Sequence, residues 1–135
     1  MADRPLPEID DDSRAWWAAM ARHEFVLPWC PHCARYFYYP RVLCPHCHRE
    51  GVELRPASGA GEIHSFTVAR RPAVPALEHR VPYVVALIDL DEGPRMLSGI
   101  VTDDVGSVRI GERVSVVFED LEEGVTLPMF ARTAT

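Results

Sequence analysis

Four cysteines dominate this chain: Cys30, Cys33, Cys44 and Cys47. They read Cys-Pro-His-Cys, ten residues, Cys-Pro-His-Cys, and no other cysteine is present. A tetrahedral Zn²⁺ takes four thiolates at about 2.3 Å, and two Cys-x-x-Cys turns supply them in pairs. The gap is shorter than the usual ribbon spacing, so the sequence predicts a compact structural zinc site. Iron in the same cage, two disulfides and an empty site are the competing readings. Disulfides suit secreted chains, and Met1-Ala2-Asp3-Arg4-Pro5 has no apolar signal core, so the expected location is the cytoplasm. His32, His46 and His48 lie in or beside the knuckles and offer substitute ligands. Four thiolates already fill a structural site, which leaves no open position for metal catalysis.

The 135 residues suffice for one domain, or for a small module plus a domain. No apolar run reaches the roughly 18 residues of a membrane span. The net charge is −6, and all 14 basic residues are arginine. Such an acidic chain is repelled by phosphate backbones and anionic membranes unless its arginines cluster.

After a polar lead-in over residues 1–12, Asp11, Asp12 or Ser13 can cap a helix running to about His23. Ala15, Trp16, Trp17, Ala18, Ala19, Met20 and Ala21 make it apolar around most of its circumference. The sequence therefore predicts burial against a partner chain, with Trp16, Trp17 and Met20 at the interface. The bland alternative packs one tryptophan on the body and lays the other on the surface.

Tyr36-Phe37-Tyr38-Tyr39-Pro40 reads as a strand between the knuckles, either a stacking platform for bases or aromatic fill for a small core. Beyond Gly51 the pattern turns to strands. Residues 52–57 form a short one. Residues 62–69 follow, with Ile63, Ser65, Thr67 and Ala69 on one face and His64, Phe66 and Val68 on the other. Tyr83 to Leu90 is nearly continuously apolar, so both its faces are expected to be covered. Arg95 to Val101 comes next, with Gly99 as a bend or bulge. Arg113 to Asp120 alternates. Residues 125–130 read as an edge strand, because Pro128 cannot donate to a ladder. The fold class is mainly β: an N-terminal helix, a small zinc ribbon and a five-stranded barrel of the OB type. The expected divisions are 1–24 for the tail and helix, 25–57 for the ribbon and 58–135 for the barrel.

The chain resembles the bacterial and archaeal DUF35 family, OB-fold proteins with a rubredoxin-like zinc ribbon. Trp16-Trp17, the two Cys-Pro-His-Cys knuckles, Ser65-Phe66-Thr67-Val68, Pro82-Tyr83-Val84-Val85-Ala86-Leu87, Arg109-Ile110-Gly111 and Gly124-Val125-Thr126-Leu127-Pro128 carry the resemblance. It implies a non-catalytic accessory subunit that binds a thiolase-like enzyme, of the acetyltransferase or steroid side-chain aldolase type, and helps hold acyl-CoA. On that reading Arg70, Arg71 and Arg80, in one proline-rich loop, are the candidates for the CoA phosphates. Ordinary solvated loop charges are the alternative.

Two other function classes compete. A zinc ribbon joined to an OB barrel also describes single-stranded nucleic-acid binders. Residues 59–135, however, carry seven Arg against twelve Asp plus Glu, the wrong balance for a phosphate backbone. Independent catalysis lacks a motif: His64 and Ser65 are strand neighbours pointing to opposite faces, and no paired-carboxylate, His-Glu-x-x-His, Gly-x-Ser-x-Gly or phosphate-loop pattern occurs.

Overall fold

A computed structural model describes residues 5–133. Residues 1–4 of the expected lead-in lie outside them.

Helix α1 (Arg14–Ala21) starts at Ser13. Ser13, one of the three candidates, stands at the N-cap, and Asp10 organises it. Its carboxylate accepts the Ser13 backbone N–H at 3.0 Å and the Ser13 hydroxyl at 2.8 Å. These bonds hold the Asp10 carboxyl below its usual range, the hydroxyl contributing most.

Trp16, Trp17, Ala19 and Met20 are buried, whereas Ala15, Ala18 and Ala21 face solvent. The helix is therefore one-sided, and its large side chains belong to the chain's own core. Trp16 Nε1 donates to the Val26 carbonyl at 2.9 Å and Trp17 Nε1 to the Tyr39 hydroxyl at 2.9 Å. This corrects the expectation of a partner interface at Trp16, Trp17 and Met20. Alanine is apolar but small, so the outward face leaves little apolar surface for another chain to cover.

The ribbon is a three-stranded antiparallel sheet of β1 (Val26–Cys30), β2 (Arg35–Tyr36) and β3 (Glu53–Pro56), in the order β2-β1-β3. The expected strand over Tyr36–Pro40 ends at Tyr36. Tyr38 and Tyr39 turn inward instead, with ring centroids 5.7 and 6.0 Å from Trp16. The aromatic run is core fill: burial pushes the Tyr38 phenol above its usual range.

The barrel comprises β4 (Ala60–Ala69), β5 (Tyr83–Leu90), β6 (Arg95–Ile100), β7 (Arg113–Asp120) and β8 (Thr126–Arg132), closed in the order β4-β5-β6-β8-β7. Inside it lie Ile63, Val84, Ala86, Ile88, Met96, Ile100, Val114 and Phe130. Phe25 meets Phe130 edge-on at 6.3 Å, so ribbon and barrel share one core. No described helix is long and apolar enough to cross a membrane.

Four local expectations change. A bulge between Ile63 and Ser65 in β4 switches the inward set to Phe66 and Val68, while Thr67 is exposed. In β5 only Val84, Ala86, Ile88 and Leu90 are buried; the alternate residues stay half-exposed. Gly99 pairs regularly with Val85, and its role is close approach, since a β-carbon there would lie 2.5 Å from Met129 Cε. Finally, β8 is an interior member of the closed barrel rather than an edge. It pairs along its length with β7, but with β6 only at Ile100–Phe130. The Phe130 carbonyl accepts Val101 N–H on the β6 side, so Pro128, two residues earlier, turns its missing N–H toward that thin seam. The Ser98 hydroxyl donates to the Pro128 carbonyl across it at 2.8 Å.

Candidate metal centre

The end of β1 delivers Cys30, and the turn into β2 brings Cys33 beside it. The second knuckle repeats the geometry: Cys44 N–H donates to the Arg49 carbonyl, and His48 N–H returns to the Cys44 carbonyl at 2.8 Å. All four Sγ atoms lie within 4.8 Å of one another. Cys30 and Cys47 are 3.7 Å apart, Cys33 and Cys44 3.8 Å. A tetrahedron with metal–sulfur bonds of about 2.3 Å has edges of about 3.8 Å, so the donor set fits a four-thiolate ion. Sulfurs at van der Waals contact distance are not disulfide-bonded.

Backbone amides prepare the sulfurs for negative charge. Cys33 N–H points at Cys30 Sγ (3.4 Å) and His46 N–H at Cys44 Sγ (3.3 Å). Burial, the largest single influence on Cys44, acts to raise its thiol, but the amides of Cys47 and His46, with its thiol neighbours, bring it down to about 7. Cys33 goes the other way, to about 12, through its hydrogen bond with Cys47, burial and the sulfurs of Cys44 and Cys30. Four thiolates this close repel one another, and a dication relieves that repulsion. Cys30 and Cys44 are buried and the other two half-buried. His32, His46 and His48 are exposed and stand outside the cluster.

The structure separates the three loop arginines. Arg80 pairs with Glu119 at 2.6 Å, both side chains about a third exposed. Arg70 and Arg71 are exposed just past the end of β4. His64 faces Asp89 (3.2 Å) and Arg95 on the barrel exterior. Sequence reasoning missed a cleft on the outer face of the barrel. Its volume is about 420 Å³, and it lies between the three-ten segment Pro75–Arg80 and strands β5, β6 and β8. The signal is the unbroken apolar run of β5, whose outward residues the chain leaves half-exposed.

A cysteine-knuckle ribbon fused through one core to a closed five-stranded barrel defines a zinc-ribbon OB-fold protein. Residues 17–53 match the family described as ChsH2, rubredoxin-like zinc ribbon domain, and residues 54–119 match ChsH2, C-terminal OB-fold domain. A DUF35 domain-containing scaffold protein of Methanothermobacter thermautotrophicus is 37% identical over 82% of this chain and 83% of its own length. The chain belongs to the DUF35 family. A probable enoyl-CoA hydratase alpha subunit of Thermomonospora curvata is 34% identical over 94% of this chain; the chain spans 39% of that subunit's length. Among solved structures, a chain titled Ltp2-ChsH2(DUF35) aldolase superposes with a TM-score of 0.85 at 32% identity, over 96% of this chain and 100% of that one.

Proposed function

We propose that this protein is a non-catalytic scaffold subunit that binds a thiolase-like enzyme acting on acyl-CoA, and that Cys30, Cys33, Cys44 and Cys47 hold a structural Zn²⁺. The observation that carries the scaffold reading is the full-length likeness to the DUF35 chain of the aldolase. The likeness to the hydratase subunit covers less than half of that protein, so its hydratase activity is not carried across. A scaffold role also suits the site chemistry. Every thiol sits in one closed four-sulfur cluster, and His64 is engaged with Asp89 and Arg95. Zinc at such a site supplies folding free energy. Any contact with a CoA phosphate falls to Arg70 and Arg71, because Arg80 is committed to Glu119.

The test is co-expression with the thiolase-fold enzyme encoded nearest to the chain's own gene, followed by size-exclusion chromatography. Co-elution at a fixed stoichiometry is expected. Separate elution at micromolar concentrations of both proteins would overturn the reading.

A further inference from the structure

The outward residues of a barrel that stands in water should be polar. On β4 they are, with Glu62, His64 and Thr67, and on β7 Arg113, Ser115 and Glu119 keep the rule while Val117, paired with Met129 of β8, departs from it. On β5, β6 and β8 the rule fails. Tyr83, Val85 and Leu87 face outward from β5, and Val85 and Leu87 pair with Gly99 and Leu97 of β6. Met129 of β8 reaches over Gly99. Leu97 is 62% exposed and Val101 52%. The buried partners of these residues fill the barrel, so the strands are apolar on both sides, and the chain covers the outer side only in part.

We infer that this outer face is the surface on which the enzyme subunit docks, through a convex ridge of apolar side chains that enters the cleft between Leu77 and the β5–β6 floor. The inference rests on the scaffold reading and adds the place of contact.

Shape and charge select that occupant. A twofold contact with a second copy would set this concave face against itself and leave the cleft unfilled. Small-molecule sites enclose most of their ligand, whereas here Leu97 and Val101 on the cleft floor are more than half exposed. Three ion pairs border the face, Arg95 with Asp89, Arg80 with Glu119 and Arg132 with Glu112, and the exposed Glu78 and Asp103 flank residues that line it. An apolar surface ringed by charged and polar residues is the anatomy of a protein interface. Trp16, Trp17 and Met20 are unavailable for the task, being inside the fold.

The experiment compares wild type with Leu97→Asp, Val101→Asp and Ile110→Asp in binding to the co-expressed thiolase-fold enzyme. Ile110 is a control: it is 67% exposed and does not line the cleft. A charge buried at the centre of an interface is expected to weaken binding by about thirtyfold or more for the first two, the scale of a hot spot. The control should change it less than threefold. Thermal unfolding checks that the exposed substitutions leave the fold intact, and Val101→Asp carries the test if Leu97→Asp does not fold. Unchanged binding by both cleft variants, or equal loss in all three, overturns the docking face while leaving the scaffold reading intact. Absence of binding by wild type overturns both. A wild-type dimer that Val101→Asp dissociates would assign the face to a second copy, and Leu97-dependent binding of decanoyl-CoA by the chain alone would assign it to a ligand. Either result overturns the inference.

Discussion

His23 lies flat on Phe118, ring centroids 4.8 Å apart and planes 9° from parallel. One residue stands just past α1 and the other on β7, so the stack fastens the helix end to the barrel wall. His23 Nε2 also meets Asp120 Oδ1 at 2.8 Å, and the Thr126 hydroxyl donates to the same oxygen at 2.6 Å. The helix end requires a left-handed residue here, and His23 has φ 60°. Two contributions thus oppose each other on substitution. His23→Ala loses the stack and keeps the unfavourable φ; His23→Gly loses the stack but relieves the backbone. Glycine is therefore expected to be the milder change, by about 0.5–1 kcal/mol, although glycine is the worse residue inside a helix. Chemical denaturation of the two variants checks the order.

Acid should weaken the fold through its carboxylates. Asp120 is held below its usual pKa by the Thr126 hydroxyl and then by His23, Asp89 chiefly by the Arg95 hydrogen bond, and Asp91 chiefly by the hydrogen bond to Arg113. A carboxyl depressed in the folded state contributes stability that is complete above its unfolded value of about 3.9. That stability is lost as pH falls through the lower folded value. The contribution from these groups should be flat above about pH 5 and decline below about pH 4. Asp91→Asn should make the decline shallower, as read from melting temperature against pH. An identical slope in wild type and Asp91→Asn would contradict the assignment.

Removing the metal should loosen more than the knuckles. Cys30 ends β1, the strand that carries Leu27 into the core, while Phe25 just before it meets Phe130 of the barrel. Purified protein is expected to hold about one Zn²⁺ per chain, following the four-thiolate count. Cys44→Ser, or a chelator in excess, should abolish that content and lower the melting temperature of the whole protein, because binding and folding are coupled. Full metal content in Cys44→Ser, with unchanged stability, would defeat the four-sulfur site.

The backbone of β4 passes very close to β5 at Gly61. A β-carbon there would sit 2.7 Å from the Asp89 carbonyl oxygen and 2.8 Å from Ile88 Cγ2. A ladder carbonyl cannot move aside as a side-chain end can. Gly61→Ala is expected to cost about 1–3 kcal/mol, the scale of overpacking in a tight core. At Gly93 no atom lies within 4 Å of such a β-carbon, so the cost of Gly93→Ala comes only from its φ of +116°. The two variants compared by urea denaturation separate crowding from backbone conformation.

Much of this architecture was legible from residue patterns, because the informative features are local. The four cysteines announce their convergence by spacing alone. Strands β5 and β7 announce themselves by alternating or continuous apolar residues between glycine and proline turns. What was illegible depends on relations between distant segments. The bulge after Ile63 shifts the phase of β4 without any glycine to mark it. Pro128 reads as an edge residue, yet it sits inside a closed barrel because β6 and β8 touch at only one pair. Residues 15–21 read as apolar around most of the helix, since composition does not say that the tryptophans turn in and Ala15, Ala18 and Ala21 turn out. The docking cleft needs three strands and a loop brought together, and β5 alone hinted at it.

Trp16 is the residue on which the helix depends. It is 1% exposed, donates to Val26 at 2.9 Å and stands edge-on to Trp17 at 4.8 Å. Truncation empties a large volume against Tyr38 and Tyr39, and rings held at these distances have little room to close the gap. Trp16→Ala should therefore cost about 3–5 kcal/mol even with no partner present. Trp16→Phe keeps most of the ring packing and loses the bond to the Val26 carbonyl, for about 1–3 kcal/mol. Denaturant titration of the isolated chain decides between this and a docking role. A residue reserved for a partner would leave the free protein's stability unchanged on truncation and lower only the affinity. A fall in stability in the isolated chain, with the alanine variant well below the phenylalanine one, is the signature of a tryptophan that belongs to this fold.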